Sequence, residues 1–284
     1  MTTLYEAVYK VCGQHSASLV KHLAEVGIST FEGLTPAGVT DFVNHLKGDL
    51  APNSAKVYAS QLCKVMKRYR ARLTGWTNGQ DEVTFAEMLR IKGSEARREF
   101  LNLDELAMLE RVVPEDENER YVLNEFLLGC QTGARHSDLE VLSEHNITPD
   151  GRGGWMLTYT SIKTGESATV PISQVNIERI KYLRGRASLP LMTYNRIIKR
   201  LCHRAGIDTP SEIYWGGQSV KAPKWQFITS HSARVSIVTN LSIAGMPLDD
   251  IARVVGHKNS TMTEHYRVRT MPTMNDEQLK IFLH

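Results

Sequence analysis

Apolar residues recur through residues 1–75 in the three- and four-residue steps of helices that pack on one side. In TPAGVTDFVNHLKGDL, Val39, Phe42, Val43 and Leu46 share a face behind a Thr-Pro start, and a glycine marks the stop. A second helix is predicted from near Asn53 or Ser54 through SAKVYASQLCKVMKRYRARL, with Ala55, Tyr58, Leu62, Val65, Met66 and Tyr69 on its inner side. Its cations Lys64, Lys67 and Arg68 fall together elsewhere on the helix, where they can meet phosphates or stand as an ordinary solvated face. The pattern breaks at TGWTNGQDE and again at IKGSEARREF. The expected organisation is a helical domain over 1–92, a linker over 93–98 and a second domain over 99–284.

The second domain opens on a capping box, Asn102 with Glu105, ahead of the apolar positions Leu106 and Leu109. Helix is expected from about Glu117 to Gly129 and again after Arg135. The period then changes to two: Trp155, Leu157, Tyr159 and Ser161, then Ala168, Val170 and Ile172, flank Lys163, Thr164 and Gly165. That is a β-hairpin with Lys163 at its turn. From Tyr194 onward the chain reads as helix broken at GIDTP, GGQS and AGMP. The predicted fold class is mainly α (α+β), a helical N-terminal domain followed by a mostly helical domain with a small antiparallel β-sheet.

Composition adds few constraints and charge adds one. With 284 residues, 42% hydrophobic and 23% charged, the chain can bury two ordinary cores and is neither disordered nor fibrous. No membrane span and no secretory leader are evident, so a cytoplasmic protein is expected. Cys12, Cys63, Cys130 and Cys202 are too scattered for a cysteine zinc site and read as reduced, mostly buried hydrophobes. Residues 1–100 carry 13 Lys+Arg against 10 Asp+Glu, residues 101–150 carry 3 against 12, and residues 151–284 carry 18 against 9. Basic segments flanking an acidic one suit a polyanionic partner, of which nucleic acid is the commonest, or an ordinary charged surface.

Four islands could carry chemistry. TGARHSDL holds Arg135 and Asp138, TSIKTGE holds Lys163, HSARVS holds His231 and Arg234, and GHKNSTMTEHY holds His257 and Tyr266. Taken singly, each has a structural explanation: a helical ion pair, a commonplace hairpin lysine, a His-Arg pair one turn apart, a half-buried aromatic. A metal site on His231, His257 and His265 is disfavoured by wide spacing and the lack of attendant carboxylates, and His265 has no motif role.

Taken in order, Arg-x-x-Asp, a hairpin lysine, His-x-x-Arg and Gly-His with a tyrosine nine residues on resemble the active site of the tyrosine recombinase (phage integrase) family, over about residues 99–270. The helical basic N-terminal part resembles that family's core-binding domain. The resemblance implies a DNA strand transferase in which Tyr266 attacks a phosphodiester, forms a 3′-phosphotyrosyl bond and releases a 5′-hydroxyl. It assigns Arg135 and Arg234 to the charge on the non-bridging oxygens, a task that suits the planar guanidinium. Lys163 matches the general acid for the departing oxygen, His231 a position that helps proton transfer and His257 a position that hydrogen-bonds the phosphate and supports the nucleophile. Asp138 matches an acidic residue that orients its neighbours. No metal and no nucleotide cofactor are implied. The implied partners are double-stranded DNA and three further copies in a homotetramer on two DNA sites, with room for accessory DNA-bending proteins.

Two positions depart from the usual family pattern, Val255 in place of leucine before Gly-His and Ala134 in place of a larger apolar residue. The tail MPTMNDEQLKIFLH is expected to pack on its own domain or, as the resemblance implies, to exchange between protomers. No segment resembling an arm-site-binding domain precedes the first helices, so the expected form is a simple integrase of a phage or mobile element. Three alternatives stay open: a helix-turn-helix regulator built on MPLDDIARVVGHKNSTMTEHY, a chromosome-dimer resolvase, and a type IB topoisomerase-like enzyme.

Overall fold

The computed structural model describes residues 2–13, 16–74, 76, 81–94, 98–215 and 218–268. The C-terminal tail, with the packing or exchange expected of it, lies outside the described residues, as does most of the expected linker. The chain divides into two compact units, Met1–Ala96 with Tyr214–Ser219, and Arg97–Ile213 with Val220–His284.

The first unit is helical: α1 (Leu4–Cys12), α2 (Ser16–Glu25), α3 (Pro36–Asp49), α4 (Pro52–Arg68) and α5 (Asp81–Met88). Thr3 starts α1 with a capping box to Glu6, and Thr35 caps α3 through the Gly38 N–H with Pro36 in its first turn. The periodic positions are the core. Val39, Phe42 and Leu46 of α3 and Ala55, Leu62, Val65 and Met66 of α4 are fully buried, while Tyr58 and Tyr69 pack at its margin. Each large apolar side chain so buried contributes about 1.5–3 kcal/mol. Lys64, Lys67 and Arg68 are exposed, as the periodicity predicts. Gly48 does not stop α3, which runs through it to Asp49.

In the second unit α6 (Leu103–Glu110) begins with the predicted Asn102–Glu105 box. It is followed by α7 (Glu117–Thr132), a central helix buried along most of its length and packed against α9 (Gln174–Leu183), α10 (Leu191–Arg204) and α11 (Ser232–Ile243). The expected resumption of helix after Arg135 is a single turn, α8 (His136–Leu139). The predicted hairpin is β2 (Trp155–Thr160) against β3 (Ser167–Ile172), antiparallel with Leu157 opposite Val170, and β1 (Ile147–Pro149) extends it as an edge strand. Pro149 has no N–H to offer and is accommodated at an edge. α12 (Leu248–Val255) and α13 (Ser260–Tyr266) are the last described helices of the unit, with Val238, Ile251 and Val255 as a small core.

One expectation is corrected. Between Tyr194 and α11 the chain is not interrupted helix throughout: β4 (Pro210–Trp215) pairs with β5 (Gln218–Pro223). The side chains of β5 are exposed or half-exposed, so this strand lacks the apolar alternation that marks a half-buried sheet.

Candidate active site

The residues singled out in the second domain come together at the junction of α7, α8, the β2–β3 turn, α11 and α13. The chain leaves α7 through Gly133, whose φ of 70° is left-handed and whose added Cβ would stand 2.8 Å from Val255 Cγ1. Glycine is therefore needed both for the turn and for the close approach of α12. The turn places Arg135 at the N-cap of α8 and buries Asp138 completely. Arg135 donates from Nη1 to Ser161 Oγ at 2.8 Å and stands 3.7 Å from Asp138 Oδ2. Asp138 Oδ1 accepts the Ile162 N–H at 2.9 Å. The carboxylate thus joins the first arginine to the residue before Lys163, which stands exposed in the β2–β3 turn.

Arg234, on α11, is 1% exposed, one of the largest fully buried side chains of the protein. One guanidinium nitrogen donates to the Gly133 carbonyl, and Nε–H donates to His257 Nε2 at 3.2 Å. Nη2 is buried with no hydrogen-bond partner among the described residues. His257 follows Gly256, the left-handed cap of α12, and its N–H returns to the Ala252 carbonyl at 2.8 Å. Because an arginine N–H can only donate, His257 Nε2 must accept and the proton sits on Nδ1, which lies 2.9 Å from Thr263 Oγ1. The ring is therefore held from both sides in one tautomer.

Tyr266 ends α13, half-buried, with its ring surrounded. The centroid of His257 is 4.6 Å away and that of His231 5.0 Å, while Arg98 stands 5.0 Å and Arg234 5.5 Å from the ring centre. Cations within about 6 Å of an aromatic face are attracted to it. Arg98 also donates to the His265 carbonyl at 3.5 Å.

The electrostatics follow from burial among cations. Burial, then the charges of Arg98, Arg234, Arg135 and Lys163, push the His231 imidazole down to about 4. Burial, Arg234 and Arg135 push His257 down to about 3. Both rings are neutral at pH 7. Burial and the nearby Arg135 also draw Arg234 below its ordinary value, though a guanidinium keeps its charge. Tyr159, whose hydroxyl donates to the Thr132 carbonyl at 3.2 Å beneath this cluster, is pushed up to about 12, chiefly by burial.

Arg135, Asp138, His231, Arg234, His257 and Tyr266 therefore lie in one cluster, with Lys163 exposed in the β2–β3 turn and its charge felt at His231, whereas Lys64, Lys67 and Arg68 lie on α4 in the other unit. Sequence reasoning passed over Arg98, Ser161 and Thr263. Thr263 had a signal, since it stands one helical turn before Tyr266 on the same face. Arg98 had none, being one of several charges in a stretch read as linker.

Residues 99–271 match the model of the phage integrase family, and the chain belongs to that family, as the resemblance of its motifs implied. A protein of Pseudomonas phage Pf1 named "Putative integrase" is 25% identical over 198 residues, 69% of this chain and 51% of that protein. The chain thus spans about half the length of this curated relative. Among solved structures, a fragment of lambda integrase, as a dimer bound to a core site, superposes with a TM-score of 0.63 at 18% identity, covering 92% of this chain and 90% of that one. A fragment of the Tn1549 transposon integrase in complex with a circular intermediate DNA gives 0.64 at 13% identity, covering 100% and 99%. XerH recombinase bound to its palindromic difH substrate gives 0.61 at 13%, covering 94% and 75%. At these identities the likeness is one of fold.

Proposed function

We propose that this chain is a site-specific DNA recombinase, an integrase of a phage or mobile element that cuts and rejoins strands through a covalent bond between Tyr266 and a DNA 3′-phosphate. The observation that carries the reading is the gathering of Arg234, Arg98 and two neutral imidazoles around the Tyr266 ring, with Arg135 close enough to Arg234 and both imidazoles to act on their charge. Arg234 presents a buried, unpartnered Nη2, a donor that a non-bridging phosphate oxygen would complete.

In this reading Arg135 and Arg234 offset the charge that grows on the phosphate oxygens as the tyrosyl oxygen attacks. His231, neutral and against the Tyr266 ring, accepts the phenolic proton. Lys163 gives a proton to the leaving 5′-oxygen from its exposed turn. His257 is locked by Arg234 and Thr263 and supports the nucleophile's ring. Asp138 positions both Arg135 and the strand end that leads to Lys163. The phosphotyrosyl ester keeps the bond energy of the broken phosphodiester, so a free 5′-hydroxyl can reverse the step on a new strand and no external energy source is needed.

The partner is double-stranded DNA, held in part by phosphate contacts from Lys64, Lys67 and Arg68. Assembly as a tetramer on two sites, accessory DNA-bending proteins and action in the cytoplasm belong to the same proposal and rest on family membership. Among the described residues no helix is long and apolar enough to cross a membrane. The helix-turn-helix reading accounts for α12, the Gly256 turn and α13, but it gives no reason for Arg135, Lys163, His231 and Arg234 to meet there.

The experiment is a suicide-substrate assay with nicked duplex carrying the element's end sequence, resolved under denaturing conditions. Wild type should form a covalent protein–DNA adduct and Tyr266→Phe none, while both bind the duplex. An adduct of equal yield from Tyr266→Phe overturns the assignment.

A further inference from the structure

A second cluster lies in the first unit, on residues that the recombination chemistry does not use. His22 and Glu25 stand one turn apart on α2, and His45 reaches them from α3. His22 Nδ1 is 3.2 Å from His45 Nε2, and Glu25 Oε2 is 3.1 Å from each of the two nitrogens.

Protons satisfy such a triangle poorly. If both imidazoles donate to the carboxylate, two N–H groups confront each other across 3.2 Å. If one accepts, the other must divide a single proton between an imidazole and a carboxylate. One cation serves all three lone pairs at once. Metal–ligand bonds of about 2.1 Å imply ligand–ligand edges of about 3.4 Å in a tetrahedron and about 3.0 Å in an octahedron. The three observed edges fall between these values.

The surroundings fit as well. His45 Nδ1 faces Asp49 Oδ2 at 3.4 Å, an outer carboxylate of the kind that fixes a ligating imidazole's tautomer and turns the other nitrogen's lone pair inward. Tyr58 of α4 packs against the His22 ring with centroids 5.1 Å apart. Lys21 stands 3.7 Å from Glu25 Oε1 and so leaves Oε2 for the cluster. The His22 and His45 side chains are 12% and 16% exposed, held by packing, while Glu25 at 38% gives a path from solvent.

We propose that His22, Glu25 and His45 bind a divalent transition-metal cation of the zinc type, which fastens α2 to α3, with solvent completing the coordination. Two imidazoles and one carboxylate are a donor set that zinc accepts. The site is independent of the chemistry at Tyr266 and stands or falls by itself.

The test uses the full chain, freed of metal with a chelator and dialysed, then titrated with zinc chloride by calorimetry and followed by thermal unfolding. Wild type should bind an equivalent of zinc that His45→Gln does not bind, and zinc should raise the wild-type melting temperature without raising that of the variant. Glu25→Gln, at a half-exposed position, should keep the fold and weaken this equivalent by more than about tenfold. It decides the matter should His45→Gln fail to fold. Zinc taken up elsewhere by cysteines or other histidines persists unchanged in all variants and is subtracted by the comparison. The proposal is overturned if wild type takes up no zinc that the variants lack, or if Glu25→Gln and His45→Gln bind it as tightly as wild type.

Discussion

Asp138→Ala separates two routes by which one buried carboxylate could serve the reaction. Asp138 is 0% exposed, accepts the Ile162 N–H at 2.9 Å and lies 3.7 Å from Arg135. Removing it leaves a backbone donor beside Lys163 without its acceptor and the Arg135 guanidinium without its counter-charge. A hydrogen bond to a charged group contributes about 1.5–3 kcal/mol. If that stabilisation holds the β2–β3 turn in its reactive position, cleavage slows by about tenfold to 150-fold. Asp138→Asn keeps an oxygen for Ile162 but turns an amide towards Arg135, so it should spare the turn and weaken only the guanidinium.

The assay that tells the routes apart is single-turnover cleavage of a nicked duplex whose bridging 5′-oxygen is replaced by sulfur. A thiol has a pKa of about 8.5 and leaves without a proton, so a defect in delivering the Lys163 proton disappears on this substrate. Asp138→Ala should regain most of its lost rate there, in parallel with Lys163→Ala, while Asp138→Asn should show little recovery. Equal losses for Asp138→Ala on the oxygen and sulfur substrates, with Lys163→Ala still rescued, would refute the link from Asp138 to the turn. They would leave Arg135 as its only target.

Three further expectations follow from the same geometry. Thr263→Val removes the acceptor of the His257 Nδ1 proton and should cost about 1–3 kcal/mol of stability, read by denaturant unfolding, with adduct formation slowed; Thr263→Ser should restore both. His257 and His231 have folded pKa values depressed to about 3 and about 4, so the unfolded chain binds more protons and their stabilisation is full above about pH 6.5 and lost as pH falls towards those values. His136, raised by its hydrogen bond to Glu125, works in the opposite sense; the informative quantity is therefore the difference between wild type and His257→Gln, whose melting temperature should fall less between pH 6.5 and 4. Replacing Lys64, Lys67 and Arg68 with alanine should weaken binding uniformly across DNA sequences and reduce the log–log salt slope by about 1 for every phosphate that is no longer neutralised; an unchanged slope would remove α4 from the DNA interface.

The sequence made legible whatever follows a short period or a fixed chemical spacing. The inner face of α4, the β2–β3 hairpin and the capping box at Asn102 rest on local rules, and the seven candidate residues of the second domain were singled out because the order of their motifs is distinctive. Partners set by the fold were hidden. Nothing in GSEARREF says that Arg98 will stand over the Tyr266 ring, and nothing in TGARHSDL says that Val255 will stand 2.8 Å from where a Cβ on Gly133 would be. The β4–β5 pair was missed because the side chains of β5 stand largely in solvent, which erases the alternation a reader looks for. A search for metal ligands stayed on the histidines of the second domain, whereas the three convergent donor atoms belong to His22, Glu25 and His45, which span twenty-four positions with no motif to join them.

The neutral histidines of this cluster are a consequence first of burial and then of the cations around them. Burial acts first on His231, then the charges of Arg98, Arg234, Arg135 and Lys163, and the ring loses its proton. With the pKa near 4, only about one ring in a thousand is protonated at pH 7, so the imidazole is free to accept from the Tyr266 hydroxyl. A phosphodiester brings a negative charge against the same cations, and that charge raises the imidazole back towards its ordinary range. On the proposed reading the group is therefore a weak base in the free protein and a stronger one when DNA is bound. Its proton affinity rises where the nucleophile has a phosphorus to attack.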